Sequence, residues 1–447
     1  MSQPPLQRHL GLWSAVLLVV GSVIGSGIFM KPLDISRSLP DETWIFGAWA
    51  ALGVICLFGA LAYGELGAMF PQAGGQYAFL RETYGPFVAF LYGWCLLLVI
   101  NTGTLAALCV VFAQNLERIV PMGDGTRFAA AASMVLALAA VNHFGVRWGT
   151  LLQNASTIAK LLALGVIVVG GLTFVSAGSA PSAPLPEYPM PDLISGIVAA
   201  AVALFWAYEG WHQLAFSAAE MKNPEKDLWR GLAIGIFVLV AVYVLINIAY
   251  LNVVPLDEMR HLQVDRDVPT LTVERVFGGA AGAWLAALIC LSVFGAANPN
   301  LLSTPRAFYA MAQDGQVPGA LMRVHPRWKT PHIAIWVQAL WTIVLVWVLE
   351  TFKDITEFVV FAALIFYALV VAGVYILRFR LPDRDRPYRC WGYPVTPALF
   401  IATVLFVDLR LLTEPDDREN ALYGLAVIGL GAFVYMFRSL ARRSRTP

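Results

Sequence analysis

The sequence of 447 residues contains very little charge. Only 13% of its residues are charged and 59% are hydrophobic, whereas soluble domains carry about 25% charged and roughly 45–50% apolar residues. Its mean hydropathy is +0.69. A soluble chain of this composition would expose large apolar patches to water and aggregate. The shortage of charge therefore excludes a soluble enzyme, a nucleic-acid-binding protein and a disordered scaffold, and it indicates a polytopic membrane protein.

The sequence is also poor in the residues that disulfides, metal sites and hydrolytic enzymes need. Its five cysteines and six histidines are spread along the chain. His143, His325 and His332 lack metal-ligand spacing, and no Walker A, GxSxG or HExxH motif occurs, so we expect no disulfide framework, no metal and no cofactor. An intramembrane enzyme would need paired catalytic residues at one depth, and a membrane sensor would need an attached soluble domain. Because neither pattern is present, these two functional classes are the weaker alternatives.

Twelve apolar runs are long enough to cross a membrane as helices. A spanning helix needs about 20 apolar residues, and the runs lack the period-2 alternation of a transmembrane β-barrel. No small-residue cleavage pattern follows the first run, so we expect no cleavable signal peptide. The predicted fold class is an all-α polytopic membrane protein with one domain over 1–447. The twelve predicted spans are 12–31, 44–69, 84–115, 127–143, 149–176, 192–217, 229–254, 276–311, 332–350, 355–379, 394–412 and 420–438.

Lysine and arginine are distributed unevenly between the two sides of this topology. With the N-terminus inside, 19 of them fall in inner segments, 10 fall in outer segments and Lys160 falls within a span. The positive-inside rule then places both termini in the cytoplasm, and we expect the protein to lie in the cell membrane (plasma or inner membrane). The formal net charge of only +1 hides this bias.

Two of the spans are interrupted near their middle. Span 1 contains Gly-Ser-Val-Ile-Gly-Ser-Gly-Ile-Phe at 21–29, and span 6 contains Phe-Trp-Ala-Tyr-Glu-Gly-Trp-His at 205–212. Glycine and serine weaken a helix, and non-helical backbone survives in a membrane only where it faces protein or a water-filled cavity. Breaks in matching positions predict a transporter with two five-helix repeats, 12–176 and 192–379, followed by two helices in 394–438.

The chemistry of the breaks predicts an α-amino acid as the substrate. Amides freed at a half-helix N-terminus bind an anion, and unwound carbonyls bind a cation. A carboxylate and an ammonium on one carbon fit this pair. We expect the amides of 25–27, with the Ser26 hydroxyl, to bind the carboxylate, and carbonyls near Val23, Trp206 and Glu209 to bind the ammonium. The candidate substrate-binding residues are Val23, Ile24, Gly25, Ser26, Gly27, Trp206, Ala207, Tyr208 and Glu209.

Simple helix packing is an alternative interpretation of the glycines in the first break. Gly21 and Gly25 form a small-xxx-small pattern, which often serves only the close approach of two helices. The second break, five spans later, favours the binding site over simple packing.

These segments resemble the amino acid–polyamine–organocation (APC) superfamily, and within it the L-type amino acid transporter branch. The resemblance rests on 21–29, on Tyr-Gly-Glu-Leu at 63–66 with the glycine-rich segment after it, on 205–211 and on Glu-Met-Lys-Asn-Pro at 220–224. Looser matches run from Ser303 to Arg306 and from Arg378 to Pro394. The resemblance implies a LeuT-like fold, with a five-helix inverted repeat plus two further helices. It also implies sodium-independent transport of amino acids, usually by exchange.

Lys160 lies near the middle of span 5. A lysine at a helix centre costs roughly 2.5–3.5 kcal/mol on insertion scales, so we expect it to face the protein interior. In the family that the chain resembles, a lysine here occupies the space of a sodium site, which fits sodium independence. The alternatives are proton coupling, since a buried lysine readily loses its charge, and snorkelling to the interface.

Glu209 and Trp206 allow more than one interpretation. The Glu209 carboxylate could bind the cationic side chain of Lys, Arg or ornithine, pair with Lys160, carry a proton, or cap the second half of span 6. The resemblance implies that Trp206 is a gate over the substrate, and the alternative is simple aromatic packing.

Three polar residues elsewhere in the spans have less specific interpretations. Asn298 in span 8 and Asn101 in span 3 are possible cavity residues, or they hydrogen-bond between helices. Glu65, near the inner end of span 2, is expected to have a structural or gating role.

One departure from the resembling branch concerns partners. Animal heteromeric members have an outer-loop cysteine between spans 3 and 4 that bonds an ancillary glycoprotein, and the segment 115–127 has none. We therefore expect no disulfide-linked heavy chain. The predicted function is a sodium-independent amino acid exchanger that works by alternating access. The alternatives are a proton-coupled symporter and an exchanger of cationic amino acids or polyamines.

Overall fold

The regular structure of the chain is helical. The computed structural model describes residues 10–71, 74–174, 189–263, 267–348, 352–414 and 418–443, and every named element in these ranges is a helix. The predicted ends of span 5 at 176 and of span 9 at 350 lie outside the described residues. The all-α prediction is confirmed.

Each predicted span coincides with one helix or with consecutive helical pieces. Ten helices in the described ranges are long and apolar enough to cross a membrane, and the helices of spans 6 and 9 are shorter apolar helices. The predicted length of span 6 is reached only when the short helix after its break, Gln213–Phe216, is added to Leu193–Ala207. The helices of the spans are, in order, Leu12–Val23 with Gly27–Met30, Glu42–Met69, Pro86–Cys95 with Leu96–Ile100 and Asn101–Glu117, Asp124–His143, Val146–Thr173, Leu193–Ala207 with Gln213–Phe216, Pro224–Val253, Ala281–Leu302, His332–Val348, Phe352–Arg380, Val395–Thr413 and Arg418–Arg443.

Shorter helices connect the spans at both ends of the bundle. They begin and end as Pro32–Ser38, Gln76–Tyr84, Ala218–Glu220, Leu256–Arg260, Val268–Phe277, Pro305–Gln313 and Gly319–Met322.

Local sequence explains where several spans begin. The Asp41 carboxylate accepts a hydrogen bond from the Trp44 amide at 3.1 Å at the start of span 2. Asp192 does the same for the amides of Ile194 and Ser195 at the start of span 6, at 3.1 and 3.2 Å. A capping carboxylate satisfies amides that have no partner within the helix.

The breaks in spans 1 and 6 occur where the sequence predicts them. The first helix of span 1 ends at Val23 and the next begins at Gly27. Span 6 stops at Ala207 and resumes at Gln213. A third irregularity was not predicted: span 3 contains a π-helical turn at Leu96–Ile100. Such turns often occur at functional sites, and this one directly precedes Asn101.

Spans 1 and 8 are the most buried of the ten long apolar helices in the described ranges. The most apolar window of span 1 is 78% buried and that of span 8 is 83% buried, whereas that of span 12 is only 17% buried. Spans 1 and 8 therefore form the core, and span 12 lies at the periphery. The division into repeats over 12–176 and 192–379, with 394–438 outside them, stays a prediction.

The two ends of the bundle differ in charge. We call the end that contains 144–147, 217–223, 303–331 and 381–394 the basic face, and the end that contains 31–42, 117–124, 254–263 and 267–280 the acidic face. Hydrogen bonds join segments within each end, such as Thr330 Oγ1 to the His143 carbonyl at 2.9 Å on the basic face. On the acidic face Arg260 Nη2 donates to the Leu39 carbonyl at 2.8 Å.

Candidate substrate-binding site

A small cavity lies between the two breaks. Its volume is about 20 Å³, which is room for about one water molecule. Six of the nine predicted substrate residues line it, namely Val23, Gly25, Ser26, Gly27, Trp206 and Glu209. Thr104, Gln213 and Asn300 line it too and were not predicted. The breaks of two distant spans therefore share one cavity.

The other three predicted residues, Ile24, Ala207 and Tyr208, are not among the described residues that line this cavity. The Ile24 carbonyl accepts a bond from Lys160, and the Ala207 carbonyl accepts one from Tyr243. The Tyr208 hydroxyl points away and donates to the Trp49 carbonyl at 2.8 Å.

The first break leaves backbone amides free. The Ile24 amide still bonds to the Val20 carbonyl at 2.9 Å. Among the described residues, the amides of Gly25 and Ser26 donate no hydrogen bond to the protein, and Gly27 begins a helix whose first amides lack intrahelical partners. These amides have the character of an anion-binding group.

The two breaks contact each other directly, and glycine makes the contact possible. A Cβ atom on Gly27 would lie 2.4 Å from Ala207 Cα, and one on Gly210 would lie 2.8 Å from the Ser22 carbonyl oxygen. Gly210 also has φ +116°, a conformation that L-residues with side chains rarely adopt. Ser22 Oγ donates to the Gly210 carbonyl at 3.0 Å.

Lys160 binds the carbonyls of the first break. Its side chain is 0% exposed, and its ammonium donates to the carbonyls of Gly21 at 2.8 Å, Ile24 at 2.5 Å and Ser292 at 3.2 Å. All three ammonium hydrogens therefore have acceptors. The lysine faces the interior as predicted, and the snorkelling alternative is wrong.

The hydroxyls of Ser292 and Tyr243 also donate hydrogen bonds to carbonyls beside the breaks. Neither residue was predicted from the sequence. Ser292 Oγ donates to the Ile24 carbonyl at 3.2 Å. The Tyr243 hydroxyl, from span 7, donates to the Ala207 carbonyl at 2.8 Å and the Val23 carbonyl at 3.2 Å. One hydroxyl thus bridges the last turns before both breaks.

Glu209 belongs to a buried hydrogen-bonded cluster. Its Oε1 accepts a bond from the Tyr367 hydroxyl at 2.6 Å, and His212 Nδ1 lies 2.9 Å from the same hydroxyl and 3.5 Å from Oε1. The predicted pairing with Lys160 is not observed, because the three donors of that ammonium go to carbonyls. The capping alternative is not observed either, since the helix at Gln213 has no side-chain cap.

Trp206 lies at the boundary of the central cavity and a wider opening. Its Nε1 donates to Ser26 Oγ at 3.2 Å, and its ring packs edge-on against Phe352 at 5.5 Å between centroids. Trp206 also lines a second cavity of about 280 Å³, together with Lys31 and Asp34 of the acidic face. The tryptophan therefore separates the central cavity from a vestibule on the acidic face.

A polar cluster closes the other side of the cavity. The Thr304 hydroxyl donates to the side-chain oxygens of Asn101 and Gln213 at 2.8 and 2.9 Å. Gln213 Nε2 donates to Asn300 Oδ1 at 3.1 Å, and Gln338 Nε2 donates to the Asn300 carbonyl at 2.7 Å. Asn101 thus belongs to a network that borders the cavity on the side of the basic face.

Asn298 lies elsewhere. Its Nδ2 donates to the Gly149 carbonyl at 3.0 Å and to Gln153 Oε1 at 3.1 Å, and its Oδ1 accepts from Asn142 at 2.8 Å. These bonds join span 8 to spans 4 and 5. Of the two alternatives, helix-to-helix bonding describes its contacts.

Ion pairs seal the basic face. Glu65 accepts bonds from Arg378 Nε at 2.9 Å and Nη2 at 2.6 Å, which joins span 2 to span 10. Glu220 and Arg306 form a second pair at 2.7 Å, in which both side chains are only 2% exposed. Glu65 therefore has a structural partner in span 10.

The three histidines with no ligand spacing in the sequence meet in space. The rings of His143, His325 and His332 lie 5.1–5.9 Å apart between centroids, a proximity that their spacing in the sequence does not indicate. Among the described residues, however, no group of three or more His, Cys, Asp or Glu side chains is arranged to hold a metal ion.

Comparison with known proteins places this arrangement in a family. The family model described as "Amino acid permease" matches residues 10–432. The chain is 33% identical over 410 residues to the serine/threonine exchanger SteT of Bacillus subtilis (strain 168), which covers 90% of each chain. It is 31% identical over 441 residues to the human b(0,+)-type amino acid transporter 1, covering 97% of this chain and 88% of that one.

A third relative has a similar extent. The chain is 32% identical over 442 residues to the mouse large neutral amino acids transporter small subunit 2, covering 96% of this chain and 81% of that one. The resemblance to the L-type branch is thereby confirmed. The chain belongs to the amino acid permease family of the APC superfamily, whose members transport amino acids across membranes.

Proposed function

We propose that this protein is a sodium-independent exchanger of L-amino acids that works by alternating access around the cavity between its broken helices. The observation that carries the proposal is the Lys160 ammonium among the carbonyls of Gly21, Ile24 and Ser292. The names of two relatives, a serine/threonine exchanger and a transporter of large neutral amino acids, are in keeping with it.

The free amides of the first break support an α-amino acid substrate. The amides of Gly25 and Ser26 have no protein acceptor among the described residues, so they suit a carboxylate. The unwound carbonyls of the second break, near Trp206 and Glu209, suit the ammonium. Both groups sit on one carbon in an α-amino acid, and the two breaks face one cavity.

The environment of Lys160 supports sodium independence. Carbonyl oxygens are the usual ligands of alkali cations in membrane proteins. Here a fixed ammonium, bonded at 2.5–3.2 Å, takes those oxygens. A sodium ion at the same place would meet like-charge repulsion and find its ligands occupied.

The size of the cavity supports alternating access. A space of about 20 Å³ holds about one water molecule, so parts of the bundle must separate for an amino acid to bind. Trp206 closes the cavity toward the vestibule, and the Asn101 cluster closes it toward the basic face. These are the two barriers that we propose open in turn.

A proton-coupled symporter is the second candidate, and one observation favours it. The Tyr367 hydroxyl lies between Glu209 Oε1 and His212 Nδ1, at 2.6 and 2.9 Å. A hydroxyl in this position can pass a proton between a carboxylate and an imidazole.

Further parts of the proposal concern orientation, partners and class. We propose that the basic face is cytoplasmic, that both termini lie there, and that the membrane is the plasma membrane. All five cysteines are buried, which supports the absence of a disulfide-linked heavy chain. Because the relatives are transporters, we do not propose an enzymatic activity.

Transport in proteoliposomes tests the proposal. In sodium-free buffer, uptake of a labelled amino acid should accelerate when unlabelled amino acid is trapped inside, and a pH gradient should have little effect. Uptake that follows the pH gradient but ignores trapped amino acid would replace exchange by proton symport. Strict sodium dependence would overturn the assignment made to Lys160.

A further inference from the structure

An apolar groove lies on the membrane-facing side of the bundle, near the basic face. It is formed by the end of span 4, the start of span 5 and the loop before span 9, and its volume is about 690 Å³. Its walls are apolar, and they include Val141, Phe144, Trp148, Leu151, Ala155 and Trp328. Trp148 and Leu151 are each 57% exposed. Exposed apolar side chains on a membrane helix are ordinary contacts for acyl chains.

The rim of this groove is cationic. Arg147 precedes Trp148 in the chain, and Arg327 and Lys329 flank Trp328; all three side chains are exposed. The Arg327 guanidinium lies over the Trp328 ring, 4.5 Å from its centroid. No acidic residue occurs within 125–186 or 315–349, and among the described residues none of these three cations has an ion-pair partner.

The loop that carries two of these cations is held in a defined shape. His325 Nδ1 accepts bonds from the amides of Arg327 and Trp328, both at 3.2 Å. Lys329 has φ +54°, and Thr330 Oγ1 ties the loop to the end of span 4. The Trp328 ring packs edge-on against Phe144 at 5.5 Å. The cations therefore have a fixed position beside the groove.

A second apolar groove on the protein has a rim of different charge, so an apolar groove does not by itself require a cationic rim. On the acidic face, a groove of about 470 Å³ is lined by Trp44, Ala48 and Leu52 among other apolar residues. Asp41 and Glu42, which lie in the chain between the lining residues Leu39 and Thr43, are exposed. Two grooves of similar character thus have rims of opposite charge.

We propose that the groove beside Trp328 binds one phospholipid with an anionic headgroup. An acyl chain lies along Trp148 and Leu151, and the phosphate lies between Arg147 and the Arg327–Lys329 pair. Arginine forms strong bidentate hydrogen bonds with phosphate, and basic sites between transmembrane helices are suited to anionic headgroups. The proposal does not depend on which amino acid the protein transports.

The test compares phosphatidylglycerol with phosphatidylcholine of the same acyl chains, each titrated into delipidated full-length protein and counted by native mass spectrometry. The wild type should retain one phosphatidylglycerol at concentrations where phosphatidylcholine is lost. The triple variant Arg147→Gln, Arg327→Gln, Lys329→Gln should weaken that binding by about tenfold or more, because each cation near the surface contributes to binding an anionic lipid.

A matched control has the same change of charge on the same face. Lys222, Lys226 and Arg230 are exposed, and the Arg230 guanidinium lies over the Trp229 ring at 5.4 Å, yet no groove adjoins them among the cavities described above. Their glutamine triple variant should bind phosphatidylglycerol as the wild type does. Equal weakening in both triple variants would overturn the proposal, because binding would then follow overall surface charge.

A steric variant provides a readout that does not involve charge. Ala155 is exposed on the groove wall, so Ala155→Trp should fill the groove and weaken binding of the lipid while all three cations remain. Retained binding in Ala155→Trp, or equal binding of the two lipids by the wild type, would overturn the proposal. Arg327→Gln alone gives a milder test should the triple variant not remain monodisperse.

Discussion

The breaks in spans 1 and 6 face the same cavity but are stabilised in opposite ways. The first consists of uncharged residues, and the charge that holds it comes from Lys160 in span 5. The second carries its own charge on Glu209, which is held by the neutral Tyr367 hydroxyl. In the first break, backbone carbonyls bind an ammonium from another span. In the second break, a carboxylate of the break itself is bonded to a polar side chain from another span.

This difference suggests different roles for the two breaks in transport. The Lys160 ammonium holds two carbonyls of the first break, Gly21 and Ile24, and ties them to the Ser292 carbonyl of span 8, which leaves the first break little freedom. Glu209 has one close donor and lines the cavity, so it remains able to bind a ligand. We propose that the free amides of the first break and the unwound carbonyls of the second bind the backbone groups of the amino acid, and that the Glu209 side chain distinguishes substrate side chains.

Replacing Lys160 should have a large effect on this contrast. Lys160→Met removes three bonds to a charged donor, each worth about 1.5–3 kcal/mol, so amino acid uptake should fall by about 100-fold or more. Uptake into proteoliposomes measures it. Lys226→Met, at an exposed lysine, is the control and should transport normally. Wild-type uptake in Lys160→Met would show that the first break does not need the ammonium.

Enlarging Gly27 should separate the two breaks. A Cβ there meets Ala207 Cα at 2.4 Å, so Gly27→Val should abolish substrate binding in a protein that stays monodisperse. Isothermal titration with the preferred amino acid would measure the loss. A Cβ on Gly165 in span 5 would meet only open space, and Gly165→Val should bind normally. Normal binding by Gly27→Val would place the substrate elsewhere.

Neutralising Glu209 tests whether the second break distinguishes side chains. Glu209→Gln should reduce uptake of arginine or lysine by about tenfold, since a bond to a charged group is worth about 1.5–3 kcal/mol. Uptake of alanine should change much less. A competition panel against one labelled tracer provides the ratio. Tyr367→Phe, which keeps the carboxylate, should preserve the preference, and equal loss of alanine and arginine uptake in Glu209→Gln would refute the side-chain role.

The smallest effect on uptake is expected from removing the neutral hydrogen bond between Ser22 and Gly210, which joins the two breaks. Ser22 Oγ donates within its own helix to Val19 and across to Gly210. Ser22→Ala should lower uptake by about two- to tenfold, because a neutral bond is worth about 0.5–1.5 kcal/mol. Among the described residues, the Ser133 hydroxyl donates only within its own helix, to the Ala130 carbonyl, so Ser133→Ala is the control. Identical uptake in Ser22→Ala and Ser133→Ala would show that the hydrogen bond from Ser22 to Gly210 does not contribute to transport.

Sequence alone predicted the spans and their breaks because both are local properties. Length and hydropathy locate a membrane helix, and the glycines and serines at 21–27 weaken one. The π-helical turn at Leu96–Ile100 was not foreseen, since the run there is uniformly apolar and carries no such signal.

The partners across the site could not be predicted, because they are far apart in the chain. Tyr367 is 158 residues from Glu209, and Ser292 is 268 residues from Ile24. Asn101 and Asn298 look alike in sequence, yet one borders the cavity and the other joins helices. His212 lies in the interrupted segment at 205–212, directly after the motif at 205–211, yet its contact with Tyr367 was not predicted.

The position of Lys160 along the chain has a consequence for how the protein is assembled in the membrane. Chains fold from the N-terminus as they are synthesised, and Gly21 and Ile24 are made before Lys160, whereas Ser292 is made long after it. When span 5 enters the bilayer, its ammonium already has two of its three carbonyl acceptors in span 1. The same contact supplies a donor to an interrupted helix that would otherwise leave carbonyls exposed to lipid. Span 1 therefore supplies acceptors for the Lys160 ammonium, and span 5 supplies a donor for the free carbonyls of span 1, before span 6 is made.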